Sequence, residues 1–349
     1  MGVALNDYGS RRYLAGTMKN FLDHTNITTG EVQGCLKPSG ATGGIYHAKP
    51  IIVQGAWLSC KGNASAAREF LDFAPQMASL LAYWDQPPRY HPLGDGGLYV
   101  WHDQLQSGAD NLVISDCPSK FSFWCWREAK DANSIASVDL PLFLSREHRA
   151  FAYFNRAWGR PSVAATHEAA SDAILQQMDK WLWSDELGLY VARNVKTNIT
   201  VTNRVYLMGM PLWGGVATAA HAERIRANLM AGDMLSSWGV RSTSSEDRRY
   251  SNVNEIVPYS NWRGPIWTNA NAMLALGMSS YPALRANATE IARRIVRALA
   301  DDLRATGTWH ECMSSASGAG LAAPGFLSWN TLGARLKGDV ASGVDPFAL

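Results

Sequence analysis

The chain has 349 residues, of which 47% are hydrophobic and 18% are charged, and its formal net charge is +2. Such a chain can form one large domain or two ordinary ones, and its apolar content excludes wholesale disorder. The near-balanced charge and the lack of a long basic run argue against a nucleic-acid partner, and no apolar run approaches the length of a membrane span.

Apolar periodicity predicts one helix after another along the chain. The predicted helices lie at residues 65–84, 136–159, 159–183, 213–232, 265–278 and 282–307. Pro75 and Pro141 should kink two of them or mark their starts, and Pro161 stands in a preferred first-turn position. The last helix carries an apolar stripe at helical spacing and has Gly307 as its stop signal. The stripe consists of Leu284, Ala288, Ile291, Ile295 and Leu299.

Convincing strands are few, and residues 187–207 form a candidate short hairpin. Long connections rich in glycine and aromatic residues lie at residues 86–112, 233–264 and 306–326. Loops of this length in a compact domain are usually functional. Because no low-complexity linker divides the chain, we predict one all-α domain over residues 1–349, with the site at one end of a helical barrel.

Composition also bears on ligands and compartment. The 14 Trp exceed what packing requires, and a Trp ring suits the C–H faces of sugars. The scattered cysteines predict reduced thiols and no zinc site, and they are Cys35, Cys60, Cys117, Cys125 and Cys312. No histidine pair or acid-rich loop has metal-ligand spacing, so we expect neither a metal nor a cofactor. Without a visible secretory signal, we expect a cytoplasmic protein.

The stretch "WHDQLQSGADNLV" (residues 101–113) concentrates polar and aromatic side chains around a turn-like Ser-Gly-Ala. A core segment would need a partner for each polar atom. The stretch therefore indicates the floor or rim of a pocket for a polar ligand. The alternative is a capping cluster in which Asp110 begins a helix.

Four segments in order resemble glycoside hydrolase family 63, and within it the mannosylglycerate and glucosylglycerate hydrolases. The segments are "YHAKPIIVQGAW" (46–57), "QSGADN" (106–111), "NWRGPIWTNAN" (261–271) and "WHECMSSASGAGLAAPGFLSWNTL" (309–332). The resemblance implies an (α/α)6 toroid of six helical hairpins and inverting hydrolysis of an α-glycosidic bond. It makes Asp110 the general acid and Glu311 the general base.

These residue types fit that chemistry. An inverting hydrolase needs one carboxyl group to protonate the leaving oxygen and a second to deprotonate water, about 6.5–9.5 Å apart. Asp110 needs a raised pKa, which desolvation by aromatic neighbours such as Trp101 would provide. Glu311 must stay ionised, so we expect a polar surround with a nearby cation.

The resemblance also implies substrate-binding positions. Arg263 could bind a substrate carboxylate or hydroxyl pair, or it could tie two helix ends. Trp262, Trp267 and Trp329 are expected either to stack on a sugar or to form part of the core or of the pocket wall. His47 and Gln54 are expected on a helix start that faces the site. Both His102 and His310 are expected to be structural, and the loop acids Asp95, Glu246, Asp247 and Glu255 to be solvated or capping. The substrate-binding candidates are His47, Lys49, Gln54, Trp101, Gln106, Asn111, Trp262, Arg263, Trp267 and Trp329.

Several positions depart from the family pattern. Gln106 replaces an acidic residue, Lys49 stands where Gln is frequent, and Cys312 and Met313 replace aromatic residues after the base. A small charged glycoside, mannosylglycerate or glucosylglycerate first, is therefore one hypothesis for the substrate. A neutral α-glucoside oligosaccharide or trehalose is the second hypothesis, and a carbohydrate-binding relic without turnover is the third.

The amino-terminal end leads to one more expectation. The resembling family has a W-x-W-D motif before its first matched segment, whereas no Trp precedes Trp57 here. We therefore expect a toroid that lacks about one helix and exposes an apolar stripe there, which would favour self-association.

Overall fold

The computed structural model describes residues 11–37, 39–40, 42–61, 63–102, 104–114, 134–254 and 260–349. Their secondary structure is mainly helical. The α-helices are α1 (Arg11–Asp23), α2 (Ile52–Cys60), α3 (Ala64–Ala67), α4 (Ala74–Trp84), α5 (Gln104–Ser107), α6 (Asp139–Ala157), α7 (Pro161–Leu182), α8 (Met210–Trp213), α9 (Ala219–Leu229), α10 (Thr268–Ser279), α11 (Arg285–Thr306) and α12 (Gly333–Ser342). Short 3-10 turns lie at Arg68–Phe73, Tyr206–Gly209, Pro282–Leu284 and Trp329–Leu332.

The strands of the described residues form small antiparallel sheets. They are β1 (Gln33–Leu36), β2 (Thr42–His47), β3 (Tyr90–Leu93), β4 (Gly96–Tyr99), β5 (Ile135–Ala136), β6 (Trp183–Ser184), β7 (Leu189–Tyr190), β8 (Ala192–Asn194), β9 (Ile199–Val201), β10 (Leu235–Ser236), β11 (Gly239–Val240), β12 (His310–Met313) and β13 (Gly320–Pro324). Strands β5, β8 and β9 form one sheet, and the others pair as β1–β2, β3–β4, β6–β7, β10–β11 and β12–β13.

The predicted helices are confirmed where the sequence signals are strongest. The five stripe residues at 284–299 are all buried, and Gly307 ends α11 in the left-handed region at φ 75°. Pro161 is the first residue of α7 and Pro75 lies in the first turn of α4, so these prolines mark starts. Pro141 lies in the first turn of α6. Among the described residues, no helix is long and apolar enough to cross a membrane.

The long connections hold more strand than the sequence predicts. The hairpins β3–β4, β10–β11 and β12–β13 lie in the three segments predicted as irregular. Strands of two to five residues are too short to show a two-residue periodicity, and several contain glycine. The hairpin predicted within residues 187–207 is confirmed by the pairing of β8 with β9.

The chain divides into two compact units, and the predicted single domain stays a prediction. The amino-terminal unit comprises Gly2–Val100 and Leu140–Met178, and the carboxy-terminal unit comprises Trp101–Asp139 and Asp179–Ala348. Free thiols in them are those of Cys35, Cys60 and Cys312, while Cys117 and Cys125 lie outside the described residues.

The amino-terminal unit packs α1 and α2 into one apolar core. Leu22 and Val53 are fully buried in this core. A Cβ atom at Gly55 would lie 2.5 Å from Met18 Sδ, so the glycine lets the two helices approach closely. The buried carboxylate of Glu147 accepts hydrogen bonds from the N–H groups of Val53 (3.0 Å) and Gln54 (2.8 Å) at the start of α2.

The carboxy-terminal unit packs α8, α10, α11 and α12 against one another. A Cβ atom at Gly277 in α10 would lie 2.4 Å from the backbone nitrogen of Trp213 in α8. Every residue of α10 except Asn269 and Met273 is buried, which explains why its sequence lacks a polar face.

Candidate active site

Asp110 lies in a turn that a glycine makes possible. The single-turn helix α5 ends at Gly108, whose φ of 80° is left-handed, and the chain then turns through Ala109 to Asp110. Residues 111–114 contain turns and no helix, so within them Asp110 does not cap one. Its carboxylate oxygen Oδ2 instead accepts hydrogen bonds from Ser260 N (3.1 Å) and Ser260 Oγ (2.9 Å).

Asn111 ties this turn to the segment at residues 260–267. Its Oδ1 accepts a hydrogen bond from Trp262 N at 2.6 Å, and its carbonyl accepts one from Arg263 Nε at 2.9 Å. Both Asn111 and Arg263 are buried. Arg263 thus ties its own segment to the Asn111 turn and not to a helix end. The roles of Arg263 and Asn111 in binding substrate stay predictions.

Glu311 lies on β12 where the hairpin β12–β13 changes register. His310 pairs with Pro324 and Cys312 with Leu321, so Glu311 alone faces Ala322 and Ala323. A bulge of this kind re-aims side chains and is frequent beside active sites. Ala322 has a left-handed φ of 63°, which costs an alanine on the order of 1 kcal/mol.

Asp110 acts electrostatically on Glu311. Burial and the negative charge of Asp110 raise the pKa of Glu311, and a hydrogen bond from the N–H of Ala323 opposes them. The fold thus brings together two carboxylates that lie far apart in sequence. The expectation of a cation beside Glu311 is wrong for the described residues. None of their Lys, Arg or His side chains pairs with Glu311, and the charge that acts on it is the negative charge of Asp110.

Backbone contacts hold the strand that carries Glu311. Ile266 and Met313 exchange backbone hydrogen bonds of 2.7 and 3.0 Å. Trp329 Nε1 donates to the Glu311 carbonyl at 3.0 Å, and His310 Nδ1 lies 3.0 Å from Asp302 Oδ1. His310 is therefore hydrogen-bonded into the structure, as expected.

The predicted tryptophans differ in exposure. Trp262 and Trp267 stack with ring centroids 3.9 Å apart and planes 6° apart, and both are buried. Trp329 lies 5.6 Å from Trp267 and is only half-buried. Of these three, Trp329 has the most surface left for a sugar.

Trp101 and Gln106 hold the polar stretch together. The indole N–H of the buried Trp101 donates to Asp139 Oδ2 at 3.0 Å, and Gln106 Oε1 accepts from the His102 N–H at 2.7 Å. Asp139, which is absent from the predicted site residues, is a buried acid whose charge also acts on Tyr206. Its position in the first turn of the helix predicted at residues 136–159 is the available signal, and acids are frequent in the first turn of any helix. Asp103 lies outside the described residues.

The remaining candidates lie in the amino-terminal unit. His47 ends strand β2, so its predicted place on a helix start is wrong. Its Nδ1 accepts from the Val32 N–H at 3.2 Å, it stacks on Tyr83 with ring centroids 3.8 Å apart, and burial lowers its pKa to about 3. The β1–β2 hairpin, which sequence periodicity did not reveal, explains the difference.

Gln54 does lie in the first turn of α2, as predicted. Its Nε2 donates to the Pro50 carbonyl at 2.8 Å and its Oε1 accepts from Arg146 Nε at 3.2 Å. Lys49 is half-buried between β2 and α2. The binding roles of His47, Lys49 and Gln54 stay predictions.

Of the two roles expected for Asp247, solvated or capping, the structure favours capping, because its Oδ1 accepts the backbone N–H of Arg249 at 2.8 Å. Asp247 is not solvated, since its side chain is 7% exposed and bonds Arg249 and Asn203. Glu255 lies outside the described residues. No cluster of three or more His, Cys, Asp or Glu side chains that could hold a metal ion occurs in the described part of the chain.

Comparison with known proteins identifies relatives of low sequence identity. The chain is 23% identical over 274 residues to a probable mannosyl-oligosaccharide glucosidase of Schizosaccharomyces pombe, covering 67% of this chain and 32% of the relative. The chain thus spans about a third of the length of this curated relative.

Solved structures share the fold. A family 63 mannosylglycerate hydrolase of Thermus thermophilus in complex with glucose has a TM-score of 0.64 at 14% identity, covering 96% of this chain and 90% of that one. Neutral trehalase of Saccharomyces cerevisiae has a TM-score of 0.68 at 14% identity, covering 99% and 72%. These similarities confirm the predicted all-α toroid fold class.

The family follows from a match to a protein-family model that covers most of the chain. Residues 31–329 match the family described as the mannosylglycerate hydrolase MGH1-like glycoside hydrolase domain. The match contains Asp110, Glu311 and all four segments that carried the resemblance except the last residues of the fourth. The chain therefore belongs to this glycoside hydrolase domain family, within glycoside hydrolase family 63.

Proposed function

We propose that the chain is an inverting glycoside hydrolase that cleaves an α-glycosidic bond, with Asp110 as general acid and Glu311 as general base. The observation that carries this proposal is the carboxylate pair itself. The two groups lie in one compact unit, and the charge of Asp110 acts on Glu311.

The proposed chemistry assigns one proton transfer to each carboxyl group. Asp110 gives its proton to the leaving oxygen as the bond to the anomeric carbon breaks. Glu311 takes a proton from the water that attacks the opposite face of the sugar. The Ser260 donors would then stabilise the Asp110 carboxylate that forms.

For the substrate, we infer a small charged glycoside, with mannosylglycerate or glucosylglycerate first. The description of the family supports this choice. A related family 63 structure from Thermus thermophilus was solved in complex with D-glycerate. Arg263 is the candidate for the substrate carboxylate in the unit that holds the acid pair, because its bond to the Asn111 carbonyl fixes its orientation.

A neutral substrate is the second candidate. The similarity to a probable mannosyl-oligosaccharide glucosidase and to neutral trehalase favours an α-glucoside oligosaccharide or trehalose. A carbohydrate-binding protein without turnover is the third candidate, and the presence of both carboxylates argues against it.

A hydrolysis panel tests these proposals. The panel contains α-mannosylglycerate, α-glucosylglycerate, trehalose, and malto- and nigero-oligosaccharides, and the first-formed anomer is identified by proton NMR. We expect the glycerate glycosides to be cleaved fastest and the β-anomer to appear first. Preferred cleavage of a neutral glycoside would reject the charged substrate, and a first-formed α-anomer would reject inversion.

A further inference from the structure

Ala322 has a backbone conformation that alanine rarely adopts. Its φ of 63° lies in the left-handed region, where a Cβ atom meets the carbonyl oxygen. The residue is 3% exposed, so its N–H needs a partner within the protein. A conformation of this kind persists only where surrounding contacts hold it.

Asn254 supplies that contact from a distant part of the sequence. Its side-chain Oδ1 accepts the N–H of Ala322 at 2.6 Å, across 68 positions. The same short segment makes a second, similar bond: Asn252 Oδ1 accepts the N–H of Ser315 at 3.1 Å. Two asparagines therefore attach residues 252–254 to the β12–β13 hairpin.

The residue after Ala322 donates to the Glu311 carboxylate. Ala322 and Ala323 together face Glu311 across the bulge. The backbone N–H of Ala323 acts on the Glu311 carboxylate as a hydrogen-bond donor and lowers its pKa. Because consecutive peptide groups share one Cα atom, the conformation of Ala322 decides where the N–H of Ala323 points.

We propose that Asn254 is a positioning residue for the general base: by holding Ala322 in the left-handed region, it aims the Ala323 N–H at the Glu311 carboxylate. The inference rests on the proposed function, since it takes Glu311 as the base. Asn254 acts through the backbone and does not contact the reacting atoms.

Loss of Asn254 has a defined electrostatic consequence. Without its acceptor, the Ala322 N–H loses its partner and the backbone can leave the strained region, which turns the Ala323 N–H away. The carboxylate then loses a donor that favours its ionised form, so the pKa of Glu311 rises. The other ionisable groups that act on Glu311 or respond to it, among the described residues, are Asp110 and Cys312. Neither is changed in the variants below.

The test compares Asn254→Ala with Asn252→Ala, a matched loss of an asparagine bond to the same hairpin. The first readout is the pH profile of kcat/KM on the best substrate of the panel. The second is a titration of Glu carboxyl groups by carbon-13 NMR, with the Glu311 signal assigned by its loss in Glu311→Gln. In Asn254→Ala we expect the acid limb and the Glu311 pKa to rise by about one pH unit, the scale of one hydrogen bond to a charged group.

A second change tests the backbone route. In the double variant Asn254→Ala/Ala322→Gly, glycine adopts the left-handed conformation without a Cβ penalty, so the pKa of Glu311 should return partway to its original value. Asn252→Ala should leave it unchanged.

Two results would overturn the inference: an unshifted Glu311 pKa in Asn254→Ala, or an equal shift in Asn252→Ala. Full hydrolytic activity in Glu311→Gln would instead reject the proposed function. The NMR titration still decides the role of Asn254 in that case, and also if no glycoside of the panel is cleaved.

Discussion

At the scale of single residues, the proposed chemistry depends on the carboxyl groups of Asp110 and Glu311. The resemblance to family 63 implies both residues, and in the structure the charge of Asp110 raises the pKa of Glu311. The bulge and the left-handed Ala322 that surround Glu311 could not be predicted. They depend on Asn254, a partner 68 positions away that no local pattern connects to them.

Replacement of either carboxyl group should stop turnover and leave the fold intact. Asp110→Asn and Glu311→Gln are nearly isosteric, and each should lower kcat by at least about 100-fold, the usual scale of acid–base assistance. The measurement is initial rate together with melting temperature. Asp301→Asn is the control, because Asp301 forms an exposed pair with Arg304. Turnover near that of the unchanged protein in either variant would contradict the assignment.

The pH profile of the unchanged protein carries a further prediction. The base must be ionised, and burial raises its pKa. Activity should therefore be lost on acidification at a pH above about 4.3, the ordinary value for Glu. The acid limb of kcat/KM measures this directly. An acid limb at or below the ordinary value would show that burial does not disfavour the ionised form of the base.

At the scale of elements, the long helices were predictable, whereas among the short hairpins of the described residues only the one within residues 187–207 was predicted. The stripe on α11 repeats over four turns within one segment, so local sequence is enough to define it. Strand β2 illustrates the opposite case. Its pairing with β1 depends on residues outside the strand, so the sequence of β2 alone does not predict it. The resemblance instead implies a helix start at His47.

The start of α2 gives a prediction about stability and pH. Burial raises the pKa of Glu147 to about 7 from an ordinary 4.5. A carboxyl group whose pKa rises on folding stabilises the fold below its unfolded value, and this contribution is lost as pH rises through the folded value. The free energy of unfolding, compared with that of Glu147→Gln, should therefore fall between pH 4.5 and 7.

Denaturant unfolding at several pH values measures this difference. Glu223→Gln, on the exposed side of α9 in a pair with Arg226, is the control and should show no such trend. If the difference between the unchanged protein and Glu147→Gln is the same at both ends of the range, the carboxyl group does not take up a proton on folding.

Close packing between helices gives a prediction with opposite signs at two glycines. Gly277→Ala should destabilise the protein by roughly 1–3 kcal/mol, because its Cβ would lie 2.4 Å from the Trp213 backbone. Gly338→Ala lies inside α12 with nothing within 4 Å of the new Cβ, so it should be neutral or stabilise by up to about 1 kcal/mol. Unfolding free energies of the two variants check both signs, and a harmless Gly277→Ala would mean that α8 and α10 can separate.

At the scale of the whole molecule, the fold class was predictable because the helical periodicity of apolar residues and the four ordered motifs both indicate an all-α fold. The division of the described residues into two compact units was not, because contacts between segments such as Trp101–Asp139 and Asp179–Ala348 leave no mark in composition.

Ligand binding to an inactive variant separates the three functional candidates. Glu311→Gln should bind its substrate without cleaving it, and a ligand at 100 times its Kd stabilises a protein by about 2.7 kcal/mol. We expect α-mannosylglycerate or α-glucosylglycerate to raise the melting temperature more than trehalose does. A larger rise in melting temperature with trehalose would favour the neutral substrate. If the unchanged protein cleaves none of the glycosides and its melting temperature rises as much as that of Glu311→Gln, a binding protein is favoured.

The stacked pair Trp262 and Trp267 has an optical consequence. Their indoles lie nearly parallel with centroids 3.9 Å apart, close enough for their excited states to interact. The pair is fixed to the Asp110 turn through the bond between Trp262 N and Asn111. Near-ultraviolet circular dichroism, which reports fixed aromatic packing, should therefore reveal whether this part of the protein is assembled. A spectrum of each variant, taken before any sugar is added, would distinguish a variant that has lost only its catalytic group from one that has lost the packing around the site.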